Sequence, residues 1–188
     1  MVEFNEQDHS YTVEGVRYPS VTQILAALGF YGDASKYFTE QSRDRGSFVH
    51  RIIQYHLAGE LDEGTIDPAL LGYFEAWLGF ERDTCFEAHT IEQPMFCPVN
   101  LFAGTPDLIG GLRRDSIIDI KTGEPGPAAA LQTAAYEILY GKSVARFSLQ
   151  LKPDGKYKLT AYQEYTDRKI FLAALSVYRW QLARNLRR

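Results

Sequence analysis

The chain has 188 residues, of which 45% are hydrophobic and 13% aromatic, and its formal net charge is −4. This content is enough for one compact domain with a core, and no repeat or linker-like stretch divides it, so we expect a single domain over residues 1–188. Its two cysteines, Cys85 and Cys97, are too few for a disulfide framework, a four-cysteine zinc site or a four-cysteine iron–sulfur cluster. No apolar run is long enough to span a bilayer, and the first residues do not resemble a signal peptide, so we expect a soluble protein of a reducing compartment such as the cytoplasm.

Charge is distributed unevenly along the chain. Residues 1–112 contain 6 Lys and Arg against 17 Asp and Glu, whereas residues 113–188 contain 14 against 7. Such asymmetry indicates either a face that binds polyanions or a folded domain whose charges intermix in space. Composition alone leaves the two interpretations equally open.

The first half of the chain predicts one hairpin and three helices. Apolar and polar residues alternate around a Glu-Gly pair, which predicts a hairpin over residues 9–18. Ser20 is a suitable N-cap and Gly29 a suitable stop for a short helix. Two longer stretches with helical spacing of apolar residues predict helices over residues 42–58 and 68–84.

The second half of the chain predicts strands and two further helices. Strand-like segments lie near residues 86–97, 100–110 and 115–121, followed by a helix over 127–140, strands over 144–152 and 156–162, and a helix over 167–185. This order predicts an α/β sandwich in which helices flank a central mixed sheet, with the hairpin added at the N-terminus. It does not fit a Rossmann alternation.

Two aspartates and a lysine lie in the segment GTPDLIGGLRRDSIIDIKTG, residues 104–123. Asp119 and Lys121 fall on one face of a predicted strand, and Asp107 follows a proline at the start of the preceding strand. Adjacent strands can bring both carboxylates to one point, where Mg²⁺ or Mn²⁺ would hold them and Lys121 would add a cation for phosphate chemistry. The alternative is an internal Asp–Lys ion pair with Asp107 capping a turn, and these residues alone leave both open.

Three further side chains are candidates for the same site. Gln132 and Tyr136 lie four residues apart on a predicted helix, so they share one of its faces. His50 lies one turn after Gly46 on an earlier predicted helix, and a glycine permits close backbone approach to the strand ends. Each also has an ordinary alternative role: solvent contact for the glutamine, and core packing for the tyrosine and the histidine.

Four ordered motifs resemble those of the PD-(D/E)xK nuclease superfamily. They are RGSFVH, GTPD, DIKTG and QTAAY, and together with the preceding YPSVTQIL they span residues 18–136. The set is most similar to the branch that contains RecB-type nuclease domains, phage recombination exonucleases and the mitochondrial genome maintenance exonuclease. The resemblance implies a restriction-endonuclease-like sandwich and a nuclease that uses Mg²⁺ or Mn²⁺, in the cytoplasm of a bacterium or of a phage-infected cell. Two cysteines cannot build the four-cysteine iron–sulfur cluster that some members carry, so the chain departs from them and is similar to a stand-alone nuclease.

The resemblance also implies roles for individual residues. The implied metal ligands are Asp107, Asp119, the backbone carbonyl of Ile120, His50 and Glu92. The implied catalytic residues are Asp107, Asp119, Lys121, Gln132 and Tyr136, the last two positioning the lysine and the phosphate. Glu92 is a candidate because some members carry an extra acidic residue there, although its sequence surroundings favour a place beyond the immediate ligands.

Contacts with DNA are predicted from two stretches. Aromatic and basic residues interleave just before the His50 helix, an arrangement that suits stacking of unpaired bases. The candidates in that stretch are Lys36, Tyr37, Arg43 and Arg45. A second candidate is the basic strand face that begins at Arg146, for which a solvated sheet edge is the alternative.

The expected function is that of a DNA exonuclease. It would hydrolyse phosphodiester bonds from free or single-stranded ends in recombination, repair or phage DNA processing, with a recombination or replication protein as a candidate partner. One alternative is a structure- or site-specific endonuclease of the same fold. Another is a non-catalytic nucleic-acid-binding relative, which we would expect to have lost an acidic residue or Lys121, and the sequence retains both.

Overall fold

The chain begins with a small antiparallel sheet. The computed structural model, which describes residues 2–5, 10–32 and 39–186, gives this sheet three strands. They are β1 (Val2–Asn5), β2 (Ser10–Val13) and β3 (Val16–Tyr18). The predicted hairpin is confirmed as β2 and β3, joined by Glu14 and Gly15 at positive φ angles of 51° and 77°, which suit a two-residue turn. Strand β1, which the alternation did not indicate, pairs with β2.

Three helices follow this sheet. They are α1 (Val21–Ala27), α2 (Glu40–Ala58) and, after a 3₁₀ turn at Glu63–Thr65, α3 (Leu71–Thr84). Ser20 caps α1 as predicted, because its hydroxyl accepts a hydrogen bond from the amide of Gln23 while the Gln23 side chain accepts one from the amide of Ser20. Helix α3 begins later than predicted, since residues 68–70 form a turn before it. Across the described residues, no helix combines the length and the apolar character that crossing a bilayer requires.

A five-stranded sheet forms the centre of the protein. In spatial order its strands are β10 (Tyr157–Ala161), β9 (Ala145–Leu151), β8 (Asp115–Lys121), β7 (Leu108–Gly111) and β4 (Glu87–Ile91). Strands β8 and β9 are parallel and are connected through α4 (Ala128–Tyr140), whereas the other neighbouring pairs are antiparallel. The sheet is therefore mixed, as predicted.

The region predicted as three strands contains five. Besides β4, β7 and β8 it holds β5 (Met95–Cys97) and β6 (Phe102–Gly104), which pair with each other in a separate two-stranded sheet. The prediction of continuous strands over residues 86–97 and 100–110 was therefore wrong. Glu92 turns the chain after β4 with a φ of 45°, and Pro106, which has no backbone N–H to donate to a ladder, separates β6 from β7.

Helices cover both faces of the central sheet, and β8 shows the alternation that requires this. Ile117 belongs to the core cluster that includes Phe171 of α5 (Thr166–Leu182). Ile118 and Ile120, on the other face, belong to the cluster that includes Trp77 of α3. Successive residues of a strand point to opposite faces, so a strand with apolar residues on both needs two covering layers. The predicted sandwich of helices around a central mixed sheet is confirmed.

The basic face predicted on β9 is not open to solvent at Arg146. This side chain is 5% exposed, and its guanidinium lies 2.9 Å from the carboxylate of Asp167 and 3.8 Å from that of Glu137. It also donates to the carbonyl oxygens of Ala130 and Glu164. Arg146 therefore ties α4 and the start of α5 to the sheet, and the prediction that it contacts phosphate was wrong.

Candidate metal and catalytic site

Asp107 and Asp119 approach each other because their strands are antiparallel neighbours. Leu108 of β7 faces Ile118 of β8, so Asp107, just before β7, comes level with the end of β8. The Oδ2 atom of Asp107 accepts a 2.6 Å hydrogen bond from the amide nitrogen of Ile120. This bond ties the start of one strand to the end of the other, at the sheet end where both carboxylates lie.

Asp119 is fully buried, and its two carboxylate oxygens have different partners. Oδ1 lies 2.9 Å from Nζ of Lys121, and Oδ2 accepts a hydrogen bond from Oγ of Ser148 at 3.1 Å. Burial raises the pKa of the Asp119 carboxyl, the ammonium of Lys121 opposes that rise, and the carboxylate of Asp107 adds to it. The Asp–Lys ion pair is therefore present, but it is part of a larger polar group.

Lys121 contacts a pair of hydrogen-bonded polar side chains on α4. Its Nζ lies 3.5 Å from Oε1 of Gln132, and Nε2 of Gln132 donates to the hydroxyl of Tyr136 at 2.9 Å. Gln132 and Tyr136 thus share one face of α4, and that face meets the end of β8. Burial acts to lower the pKa of Lys121, but the carboxylates of Asp119 and Asp107 outweigh it and raise the pKa, so the lysine is a cation at neutral pH.

His50 reaches the same point from α2. Its Nε2 lies 3.2 Å from the carbonyl oxygen of Ile120, and its Nδ1 lies 3.0 Å from Oε1 of Glu92 and 3.8 Å from Oδ1 of Asp107. Burial acts to lower the pKa of His50, but the carboxylates of Asp107 and Glu92 outweigh it and raise the pKa to about 9. Without a metal ion, a ring with that pKa is protonated at neutral pH and both of its nitrogens donate hydrogen bonds, so the ring must release a proton before one of its nitrogens could bind a metal.

Glu92 lies beside Asp107, although its sequence surroundings favoured a place beyond the immediate ligands. Its amide donates a 2.9 Å hydrogen bond to the backbone carbonyl of Asp107, and its side chain contacts His50. The position depends on the pairing of β4 with β7, which no local pattern in the sequence indicates.

Three of these side chains form a group that could hold a metal ion. The candidate ligand atoms of His50, Glu92 and Asp107 all lie within 4.8 Å of one another. Two carboxylates, an imidazole and the nearby carbonyl oxygen of Ile120 are ligand types that Mg²⁺ and Mn²⁺ accept, with the imidazole better suited to Mn²⁺. The donor set therefore fits a divalent cation. Asp119 directs its oxygens to side chains outside this group, and its role as a ligand stays a prediction.

Helix α2 passes near the end of β8 at Gly46, but a larger residue would also fit there. A Cβ atom built on Gly46 would lie 3.8 Å from Oγ1 of Thr122, which is an ordinary van der Waals distance. The approach of α2 to the end of β8 therefore does not depend on the missing side chain of Gly46, which the sequence analysis took as permitting it. His50 reaches the strand ends by the length of its own side chain and its place on the helix.

Two of the four predicted DNA-binding residues lie in the described part of the chain. Arg43 is exposed near the start of α2, whereas the guanidinium carbon of Arg45 lies 6.0 Å from the centroid of the Tyr73 ring on α3. Lys36 and Tyr37 lie outside the described residues. Contact of these four residues with DNA stays a prediction.

Besides Tyr136, further hydroxyl groups lie at or near the site that were not among the predicted site residues. Ser148 donates to Asp119, and the hydroxyl of Tyr162 donates to Oγ of Ser148 at 3.2 Å. Tyr11 of β2 lies 2.8 Å, hydroxyl to hydroxyl, from Thr105, just before the Asp107 strand. The signal for Ser148 is its register opposite Asp119 in the parallel pair β8–β9, and a sequence pattern does not reveal a register.

Three solved structures show a distant likeness to this chain. No protein-family model matches the sequence, and no curated protein matches it. An alkaline exonuclease, LHK-Exo from Laribacter hongkongensis, is 17% identical with a TM-score of 0.44, and the match covers 90% of this chain and 93% of that one. The structure of LHK-Exo in complex with dAMP gives the same identity and coverage with a TM-score of 0.42. The crystal structure of SSO0001 is 18% identical, covers 68% of each chain and has a TM-score of 0.39. Likenesses at this level carry no argument about the activity of this chain.

Proposed function

We propose that the chain is a divalent-metal-dependent deoxyribonuclease that shortens DNA from free ends, in recombination, repair or phage DNA processing. The observation that carries the proposal is the meeting of Lys121 with the carboxylates of Asp107 and Asp119 at one end of the sheet, beside His50 and Glu92. Carboxylates that can hold a metal, with a lysine cation next to them, suit the hydrolysis of a phosphodiester. The ordered sequence motifs support DNA as the substrate and ends as the point of attack.

In this proposal, His50, Glu92 and Asp107 hold the metal together with the carbonyl oxygen of Ile120, and Asp119 is a further ligand candidate. When bound, Mg²⁺ or Mn²⁺ would polarise the scissile phosphate and make a coordinated water more acidic. Two carboxylates and a carbonyl favour either ion, and the imidazole nitrogen shifts the preference toward Mn²⁺.

Lys121 supplies the positive charge that the protein itself directs at the phosphate. An ammonium has three donors, and the contacts to Asp119 and Gln132 account for two of them, so the third can be directed to a phosphate oxygen. Tyr136 accepts from Gln132 and so fixes the amide oxygen that faces the lysine. The charge on Lys121 is thus in place before the reaction, which is the condition for strong stabilisation of a transition state.

Products from three DNA substrates test the proposal. End-labelled single-stranded DNA, end-labelled duplex and closed circular DNA are each incubated with the protein in Mg²⁺, Mn²⁺ or EDTA. We expect linear DNA to be shortened, circular DNA to stay intact, and EDTA to stop the reaction. Cleavage of the circle would favour the endonuclease of the same fold. The absence of hydrolysis in every metal would overturn the enzymatic assignment and favour a non-catalytic nucleic-acid-binding protein.

A further inference from the structure

A chain of two hydroxyl groups holds the buried carboxylate of Asp119. Oγ of Ser148 donates to Oδ2 of Asp119 at 3.1 Å, and the hydroxyl of Tyr162 donates to Oγ of Ser148 at 3.2 Å. Ser148 is as completely buried as Asp119, whereas Tyr162 is half-buried. We propose that Ser148 and Tyr162 are positioning residues that fix the Asp119 carboxylate for DNA hydrolysis, an inference that rests on the proposed function.

The chemistry of the three groups determines which of them donates in each of the two hydrogen bonds. An ionised carboxylate only accepts hydrogen bonds, so the single proton of the Ser148 hydroxyl must point at Asp119. The oxygen of Ser148 then has only acceptor capacity left for its other neighbour. Tyr162 must therefore be the donor of the second bond, and its hydroxyl holds the serine proton toward Asp119.

The backbone holds both hydroxyl groups in place. Ser148 lies directly opposite Asp119 in the parallel register of β8 and β9. Tyr162 directly follows β10, and its amide donates a 2.9 Å hydrogen bond to the carbonyl oxygen of Arg146, two residues before Ser148 on β9. The two hydrogen bonds therefore run from the edge of the sheet to the carboxylate, and the pairing of the strands fixes the distances between the three groups.

The consequence for the site is an oriented Asp119. With Ser148 on Oδ2, the other oxygen faces Lys121 at 2.9 Å, and this lysine also contacts Gln132. Loss of the Ser148 hydroxyl would leave a buried carboxylate oxygen without its donor and would allow the group to rotate away from this arrangement. Ser148 is buried, so its loss should change turnover and metal binding rather than the affinity for DNA.

A double-mutant cycle tests this inference, with kcat, KM for DNA and the calorimetric Kd for Mn²⁺ measured in the full chain. With Asp119 as the further metal ligand of the proposed function, Ser148→Ala should lower kcat and weaken Mn²⁺ binding by about 10- to 100-fold each, as loss of a group that orients a metal ligand does. Tyr162→Phe should have a smaller effect of the same kind, about 2- to 10-fold. Because Tyr162 acts through Ser148, Tyr162→Phe should add nothing in the Ser148→Ala background. Ser148→Thr, which keeps a hydroxyl, should retain most of the wild-type kcat and Mn²⁺ affinity.

Two matched variants serve as controls. Ser116→Ala removes another fully buried serine hydroxyl, on β8, that bonds only to the carbonyl of Arg114 among the contacts described here. Tyr157→Phe removes a tyrosine hydroxyl on β10 that contacts Asp83 instead of Ser148. Both should leave kcat and Mn²⁺ binding unchanged.

The outcomes separate this inference from the proposed function. The positioning role would be overturned if the losses of kcat and Mn²⁺ affinity in the two single variants multiply in the double mutant. It would also be overturned if Ser148→Ala behaves like Ser116→Ala. In either case DNA hydrolysis by the wild type, and with it the proposed function, would stand. If Ser148→Ala fails to fold, a Tyr162→Phe protein indistinguishable from Tyr157→Phe overturns the positioning role equally. If the wild type hydrolyses no DNA, the proposed function fails, and Mn²⁺ binding across the same cycle decides whether the two hydroxyls position Asp119. A wild type that binds no Mn²⁺ either would overturn both.

Discussion

The amide nitrogen of Ile120 donates a 2.6 Å hydrogen bond to the carboxylate of Asp107. The carbonyl oxygen of the same residue lies 3.2 Å from Nε2 of His50. The backbone of one apolar residue at the end of β8 therefore links the acidic residue of one strand to the histidine of a distant helix. Asp107 consequently has two roles that can be separated: it accepts a structural hydrogen bond and it supplies negative charge.

Substitution of Asp107 by asparagine or alanine separates these two roles. Asparagine retains an oxygen that can accept from the amide of Ile120, so we expect Asp107→Asn to fold with near-normal stability. Asp107→Ala leaves that buried amide without its acceptor and should lose about 1–3 kcal/mol of unfolding free energy. Both variants should bind Mn²⁺ at least about 10-fold more weakly, because the charge of the proposed ligand is gone. Urea denaturation and calorimetry measure the two effects, and an Asp107→Asn protein with wild-type Mn²⁺ affinity would remove Asp107 from the metal site.

Lys121→Gln should reduce kcat for DNA hydrolysis by about 10²- to 10³-fold, the usual loss when one group that stabilises the transition state is removed. Glutamine is chosen because its amide can still donate to the buried carboxylate of Asp119 and so preserve the fold. The matched control is Lys156→Gln, since Lys156 is an exposed lysine paired with Asp154 at 3.2 Å. The control should keep wild-type kcat. Equal rates for the two variants, with intact circular dichroism spectra, would show that Lys121 has no catalytic role.

Metal addition should stabilise the folded protein against heat. A ligand present at 100 times its Kd adds about 2.7 kcal/mol to the unfolding free energy when it binds only the folded state, so Mn²⁺ should raise Tm and EDTA should reverse the rise. Ca²⁺ should also raise Tm but should support little turnover, because its larger and looser coordination shell spoils the geometry of the reaction. Thermal scans beside cleavage assays in each ion test this. DNA hydrolysis in Ca²⁺ as fast as in Mn²⁺ would contradict the expected metal preference.

His50→Ala should lower activity more in Mn²⁺ than in Mg²⁺, because an imidazole nitrogen suits the softer ion. It should also reduce the unfolding free energy by about 1–3 kcal/mol, since the contacts with Glu92 and the Ile120 carbonyl are lost. The control is His56→Ala on the same helix, where the ring contacts Glu81 at 2.8 Å and is equally exposed, at 26%. The control should lose stability but keep the same activity per folded molecule in both ions. A His50→Ala protein with that same profile would assign His50 a structural role only.

Arg146→Ala should destabilise the fold without a specific effect on DNA binding. Removing this buried guanidinium leaves the carboxylate of Asp167 without the cation described beside it and takes from Glu137 the nearer of two cations, and breaking a buried pair costs about 3–5 kcal/mol. Arg168→Ala is the control, because Arg168 is 48% exposed and lies 4.0 Å from Glu137. Its stability should change by less than about 1 kcal/mol. If Arg146→Ala is as stable as the control and binds DNA more weakly, the basic face on β9 would have to be reconsidered.

The sequence by itself determined most of the elements and their order, because the signals for these are local, although it missed β1 and did not separate β5 and β6 from their neighbours. Apolar spacing identified α4 and the strands after it, and Ser20 marked the start of α1. Alternation along β8 placed Asp119 and Lys121 on one face, where they do lie within hydrogen-bond distance. Each of these features depends on residues within a few positions of one another, where side-chain direction follows directly from helix or strand geometry.

Only the tertiary structure decided which distant residues meet at the site. Ser148 reaches Asp119 through the parallel register of β8 and β9, and Glu92 reaches Asp107 through the pairing of β4 with β7. Arg146 looked like a surface cation in its strand but is buried against Asp167. A register or an ion pair of this kind is selected by the packing of the whole core, because shifting a strand by one residue would turn every apolar side chain to the wrong face. That selection depends on contacts between residues far apart in the chain, which spacing within one segment does not encode.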